Sequence, residues 1–196
     1  MKINVLSVAY QRPIELLTLC CCFLRQTNPN WELTIMYDGP VPKQIQDIMN
    51  LFDDKRIIFK HTDTRNGKWG HPNRRKMLEE MTYDEGDFVL LTNDDNIYVP
   101  EFVEQMIGVI NENANTGLVM CNTIHSYQRY ELTHTQLKEG FIDMGCFIVR
   151  CDVAKGIGFK HDHFSADGTY AEECGSRCRE IGLNILHLQR PLFIHC

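Results

Sequence analysis

Two adjacent carboxylates, Asp94 and Asp95, stand between the carboxamides Asn93 and Asn96, just past the apolar run Phe-Val-Leu-Leu at 88–91. That run is too short for a helix and reads as a buried strand. Carboxylates side by side at a strand end repel each other and resist desolvation; a divalent cation shared with a second anion relieves both costs. In open α/β sheets, ligands bind at the carboxyl ends of the strands. The segment therefore predicts a metal site that holds a phosphorylated ligand. A solvated turn is the alternative, since Asp and Asn favour turns for their own reasons. A second acidic segment, with Asp167, Glu172 and Glu173, enters a predicted helix. Acids there offer a general base, or simply complement the helix dipole.

The elements that must position these groups alternate along the chain. Residues 3–9 read as a strand, and Pro13 opens a helix with Leu16, Leu17, Cys20, Phe23 and Leu24 on one face. Strands follow at 33–37, 56–60, 88–92, 118–123 and 184–188, with a strand-like run at 141–150 interrupted by Gly145. Helical patterns cover 43–51, 74–81, 100–111 and 170–181, the third with Phe102, Val103, Met106, Ile107 and Ile110 as its apolar face. Residues 61–73, 125–140 and 156–167 read as loops, and His61 and His71 as surface histidines. The alternation predicts a three-layer α/β/α sandwich with a mostly parallel sheet, folded as one domain.

Bulk properties narrow the function. A chain of 196 residues, 43% of them hydrophobic, can bury a substantial core. A net charge of -6 without a basic stripe argues against a nucleic-acid partner. No apolar run reaches membrane-spanning length, and no signal-peptide pattern opens the sequence. The nine cysteines read as reduced thiols of a cytoplasmic protein, or of a host's cytoplasm if the chain is viral. Cys174-x-x-x-Cys178 lacks the second pair that a zinc site needs. The first strand-to-helix turn, Ala9-Tyr10-Gln11-Arg12-Pro13, contains no glycine. It is neither a dinucleotide fingerprint nor a phosphate loop, so a bound nucleotide needs a cation or arginines instead.

In order along the chain come Ser7-Val8-Ala9-Tyr10 with Arg12-Pro13, then Tyr37-Asp38-Gly39, Asn66-Gly67 with Asn73-Arg74, and Asn93-Asp94-Asp95-Asn96 before Tyr98-Val99-Pro100. This order resembles family 2 glycosyltransferases of the GT-A fold over nearly the whole chain, as a minimal catalytic domain of the bacterial, phage or large-virus kind. The resemblance implies an inverting transfer from a UDP-sugar, with a nucleotide-binding half at 1–96 and a donor-sugar and acceptor half at 97–196. It implies Mn²⁺ or Mg²⁺ on Asp95, with Asp94 as second ligand or facing the ribose or sugar; Asn93 stands where the family usually has its first acid. It implies that Ala9, Tyr10 and Arg12 cradle the base, that Asp38 reads it, and that Arg74 approaches the nucleotide. Asp38 also suits a tight turn, and Tyr10 also suits a core plug. Asp143 and Gly145 match the strand beneath the donor sugar, and His195 matches a late metal ligand, with His187 second. The resemblance implies a general base among Asp167, Glu172 and Glu173.

The acceptor is left open as a glycan, a lipid-linked sugar or a protein, and so is the oligomeric state. Two other functions share the same residues. A nucleotidyltransferase would release pyrophosphate rather than UDP, and a non-catalytic nucleotide-sugar-binding module would bind without turnover.

Overall fold

The computed structural model describes residues 1–196. Its organising strand is β1 (Ile3–Ala9), buried along its whole length, as a strand covered by helices on both faces must be. β1 pairs in parallel with β2 (Trp31–Tyr37) on one side and β4 (Phe88–Asn93) on the other, and β2 pairs in parallel with β3 (Ile57–His61). The connecting helices are α1 (Pro13–Leu24), α2 (Lys43–Met49) and α3 (His71–Glu80). The chain steps outward from β1 to β3 and then returns to β4. Right-handed crossovers therefore put α1 and α2 on one face of the sheet and α3 on the other. The reversal makes the gap between β1 and β4 a topological switch point, the place where a crevice opens in such sheets.

Beyond β4 the sheet becomes mixed. β8 (Phe147–Arg150) runs antiparallel to β4, and β6 (Thr116–His125) runs antiparallel to β8. β9 (Asn184–His195) is parallel to β6, while β5 (Ile97–Tyr98) and β7 (Glu131–Thr133) add antiparallel edges to β9 and β6. All nine strands form one sheet. On the α1 face lies α4 (Phe102–Glu112), tied by Val103 N–H donating to Gln26 Oε1 at 2.9 Å. On the other face α3 packs on α5 (Cys151–Ile157), and α5 on α6 (Ala166–Glu180). This is the three-layer α/β arrangement, with parallel order confined mainly to the first half.

The apolar face of α4 is buried at all five expected positions. In α1, Leu16, Cys20 and Phe23 are buried, but Leu19 joins them where Leu17 and Leu24 were expected; Leu24 is exposed. β9 does not stop at Leu188. It passes through Pro191 at register irregularities opposite Asn122 and continues to His195, since a residue without an N–H fits a strand at a bulge. His71, expected at the surface, is 3% exposed inside the first turn of α3. The cysteines are all free, and Cys20, Cys121, Cys146, Cys151, Cys174 and Cys178 are buried. No helix is long and apolar enough to cross a membrane.

Candidate active site

The carboxyl end of β4 is clamped to the end of β1. Asp94 N–H donates to Val8 O at 3.1 Å, and Tyr10 N–H donates to Asp94 Oδ2 at 3.1 Å. Asp94 is thereby fixed in a buried position, and burial, then repulsion from Asp95, push its carboxyl up to about 7 against the pull of Arg12. Burial raises Asp95 as well. The half-exposed Arg12 guanidinium bridges Asp95 Oδ2 and Asp94 Oδ1. Asp95 Oδ1 stays buried with no partner. The two carboxylates thus hold one shared cationic partner and retain one orphaned oxygen.

Asp38, at the end of β2, is buried and already holds three donors. Asn66 N–H and Asn73 Nδ2 reach Oδ1 at 2.8 Å, and Gly67 N–H reaches Oδ2 at 2.9 Å. It organises the loop before α3, and Oδ2 keeps room for one more donor. Tyr10 is half-buried and carries the Arg65 guanidinium 4.0 Å from its ring centroid. Ala9, Tyr10, Arg12, Asp38, Asp94 and Asp95 together line one hollow of about 640 Å³, and His195 reaches it from β9.

A second hollow of about 340 Å³ adjoins it; Asn93, Trp69, Phe164 and His195 border both. This hollow contains Arg74, Asp143 and Asp167. Asp143 Oδ1 accepts Gly145 N–H at 2.8 Å, and its Oδ2 lies 3.1 Å from His195 Nδ1. Asp167, in the first turn of α6, accepts its neighbour Gly168 N–H at 2.9 Å. Burial, then the charge of Asp143, raise Asp167 to about 6.

Arg74 lies at the centre, 1% exposed. It donates to Asn93 Oδ1, to Trp69 O at 2.5 Å and to His71 Nδ1 at 3.0 Å, and its Nε has no partner. Burial lowers its pKa to about 10 even though Asp143, Asp167, Asp94 and Asp95 all pull the other way. It remains a cation, facing four carboxylates. Burial and the charge of Arg74 push His71 down to about 4, so this histidine is neutral. Its Nδ1 then accepts from Arg74 while Nε2–H donates to His163 O at 3.1 Å. A neutral histidine here joins the arginine to the segment before α6. The sequence offered little sign of it beyond Gly70-His71-Pro72 at a helix start.

Four of the expected site residues line neither hollow. Glu172 accepts Glu139 N–H at 2.7 Å, Glu173 pairs with His161 at 3.0 Å, and both face a separate surface hollow along α6. Five or six residues on from Asp167, helical geometry turns their side chains to another side. Gly145 is required by packing: a Cβ there would sit 2.5 Å from the Phe193 ring and 2.9 Å from the Tyr98 hydroxyl. His187, the second choice for a metal ligand, bonds Asn122 instead, at 2.8 Å.

No group of three His, Cys, Asp or Glu side chains is gathered to hold a metal unaided. The arrangement still fits a divalent cation that takes one or two carboxylates and completes its shell with phosphate and water. The orphaned Asp95 Oδ1 is the free donor such an ion would use.

The fold has close counterparts among solved structures. S. aureus TarS 1-349 in complex with UDP superposes with a TM-score of 0.77 at 14% identity, covering 100% of this chain and 60% of that one. Its complex with UDP-GlcNAc gives 0.74 at 15% identity, covering 100% and 58%. Mannosyltransferase PcManGT from Pyrobaculum calidifontis, in complex with GDP-Man and Mn²⁺, gives 0.73 at 10% identity, covering 99% and 56%. The chain thus spans a little over half the length of these three structures. At such identities the likeness establishes the GT-A fold. The sequence model of glycosyl transferase family 2 matches residues 5–168, so the chain belongs to that family.

Proposed function

We propose that the protein transfers a sugar from a UDP-sugar to an acceptor hydroxyl with inversion, assisted by a divalent cation. One observation carries the reading. The larger hollow, lined by the Asp94–Asp95 tip, adjoins a smaller one that contains Asp167, a partly buried carboxylate whose proton affinity is raised toward neutrality. Family membership supports glycosyl transfer, and the nucleotides named for TarS and PcManGT support a nucleotide-sugar donor. Most residues of the larger hollow come from 1–96, which supports a donor half and an acceptor half.

In this reading the nucleotide lies against Ala9, Tyr10 and Arg12, with Asp38 at the base. Asp95, through Oδ1, and His195 would hold Mn²⁺ or Mg²⁺, while Asp94 is committed to Tyr10 N–H and Arg12. When bound, the cation neutralises the diphosphate leaving group. Arg12 holds the other oxygen, Asp95 Oδ2, together with Asp94 Oδ1, and so positions both carboxylates. Asp167 takes the proton of the attacking hydroxyl; a base with a pKa of about 6 is ionised at neutral pH and still holds a proton well. Arg74 places a buried positive charge beside Asp167 and fixes Asn93 and the Trp69 loop. Asp143 orients His195 and offers a carboxylate to sugar hydroxyls.

The test is incubation with a panel of UDP-sugars, with and without Mn²⁺. Metal-dependent release of UDP and an inverted anomeric centre by NMR are expected. Release of pyrophosphate, or retention of configuration, would refute the reading.

A further inference from the structure

The smaller hollow is edged by four aromatic rings that a soluble protein has no folding reason to expose: Trp69 at 59%, Phe164 at 80%, Tyr127 at 60% and Phe141 at 46%. Trp69 is held outward by backbone that resists relaxation. Lys68 has φ 48° and Trp69 φ 53°, both left-handed, between Gly67 at 65° and Gly70 at 79°. Non-glycine residues occupy that region at a cost, and persist there only when their surroundings over-determine them. The surroundings do so here. Arg74 donates to Trp69 O, Lys68 Nζ pairs with Asp162 at 2.9 Å, Gly67 N–H is held by Asp38, and a side chain at position 70 would strike Val8. Trp69 meets Phe164 edge-on, with ring centroids 6.0 Å apart.

The floor below these rings is polar and incompletely satisfied. Asp143 and Asp167 supply acceptors. The wholly buried Arg74 has an Nε without a partner, and His125 has a buried, unpartnered Nδ1. An acyl chain entering here would take water from both carboxylates and add no donor to the few they already hold, which is costly. A polyol both donates and accepts, and a pyranose ring adds an apolar C–H face to that polar rim. Aromatic walls above a mixed donor and acceptor floor match that pairing of surfaces.

We infer that the smaller hollow is a carbohydrate-binding acceptor subsite, with the terminal pyranose of the acceptor stacked on the Trp69–Phe164 pair and its hydroxyls directed to Asp167 and Asp143. This rests on the larger hollow being the donor site. Trp69 and Phe164 border both hollows, so the stacked ring lies where an attacking hydroxyl must meet the transferred sugar. The acceptor class is thereby a glycan, not a lipid chain or a protein side chain.

The two tryptophans make the test direct, because Trp31 is buried and only Trp69 reaches solvent. The intact protein, saturated with UDP and Mn²⁺, is titrated with chito-, malto- and manno-oligosaccharides while Trp emission is recorded. At least one of these saccharides is expected to give a saturable blue shift. Phe164→Ala, at a side chain too exposed to matter for folding, should weaken the response about tenfold, the scale of losing one aromatic contact. Tyr83→Ala, at a remote exposed ring, should not. If UDP raises the melting temperature and no saccharide moves the emission, the acceptor assignment falls while the donor reading stands. If UDP gives no stabilisation, the donor reading falls, and the acceptor assignment falls with it. A blue shift from serine- or threonine-containing peptides, with none from the saccharides, overturns the glycan assignment in favour of a protein acceptor.

Discussion

Two hollows of equal size, about 640 Å³, lie at opposite ends of the central strands, and each contains a buried aspartate. At the amino ends, Asp87 accepts Lys2 N–H at 2.7 Å and Asp84 N–H at 3.1 Å, while Arg150 and Asp152 close on each other at 2.6 Å. At the carboxyl ends, Asp94 and Asp95 share one half-exposed arginine, Asp95 leaves an oxygen unpartnered, and burial pushes Asp94 up to about 7. Volume therefore does not tell a binding site from a surface fold; unsatisfied charge does. A protein tolerates uncompensated buried charge where a ligand completes it.

The sharpest way to break the comparison is at the carboxyl end. Asp167→Asn should lower turnover by about 10²–10⁴-fold, the usual worth of a positioned base, while UDP still raises the melting temperature as in the wild type. In the wild type, turnover should fall as pH drops through about 6, because Asp167 takes up a proton and can no longer accept one. The variant should lack that limb, and an unchanged profile would remove Asp167 from the mechanism. Next in size, Asp95→Ala should abolish Mn²⁺-dependent UDP binding by calorimetry and cost about 10²–10³-fold in turnover. Asp87→Ala should do the reverse. It orphans two backbone N–H groups, which costs about 1–3 kcal/mol of stability, and leaves UDP affinity untouched. Loss of UDP binding in Asp87→Ala would mean that the two ends do not differ as described.

What the sequence made legible follows the same division. β1, β4 and the α4 face were readable because long apolar runs and a clear helical period admit one interpretation. The Asp94–Asp95 tip was readable because two acids ending a buried strand conflict with local stability. The two-residue β5, the three-residue β7 and the short α5 with Gly156 inside it offer no period to detect. β9 was cut short because Pro191 reads as a breaker, although the sheet accommodates it at a bulge. Asp143 and His195 were each singled out, but their contact, like the role of His71, was not, because the partners lie far along the chain, across 52 residues and at His163. Type and spacing marked Glu172 and Glu173 as well as Asp167; only the direction of each side chain around α6 separates them.

The smallest expected effect concerns stability alone and bears directly on whether charge at the β4 tip is uncompensated. Asp94 has a folded pKa raised from 3.8 to about 7. The folded state therefore binds this proton more tightly than the unfolded state does. Stability from this group is present at acid pH and is lost as pH rises from about 4 through about 7. Asp167 adds a loss of the same sign that ends near 6, whereas His71, depressed to about 4, contributes stability that grows as pH rises through the same range. Both remain in an Asp94→Asn variant, so they cancel in the difference between the two proteins. Asparagine keeps an oxygen for Tyr10 N–H and releases Arg12 wholly to Asp95. The variant should match the wild type most closely near pH 4 and melt at a progressively higher temperature as pH rises to about 7, with little further change by pH 8, at about 2–4 °C per kcal/mol for a chain of this size. A melting-temperature difference that stays flat from pH 5 to 8 would show that Arg12 fully neutralises Asp94, and that the β4 tip is as satisfied as the Asp87 end.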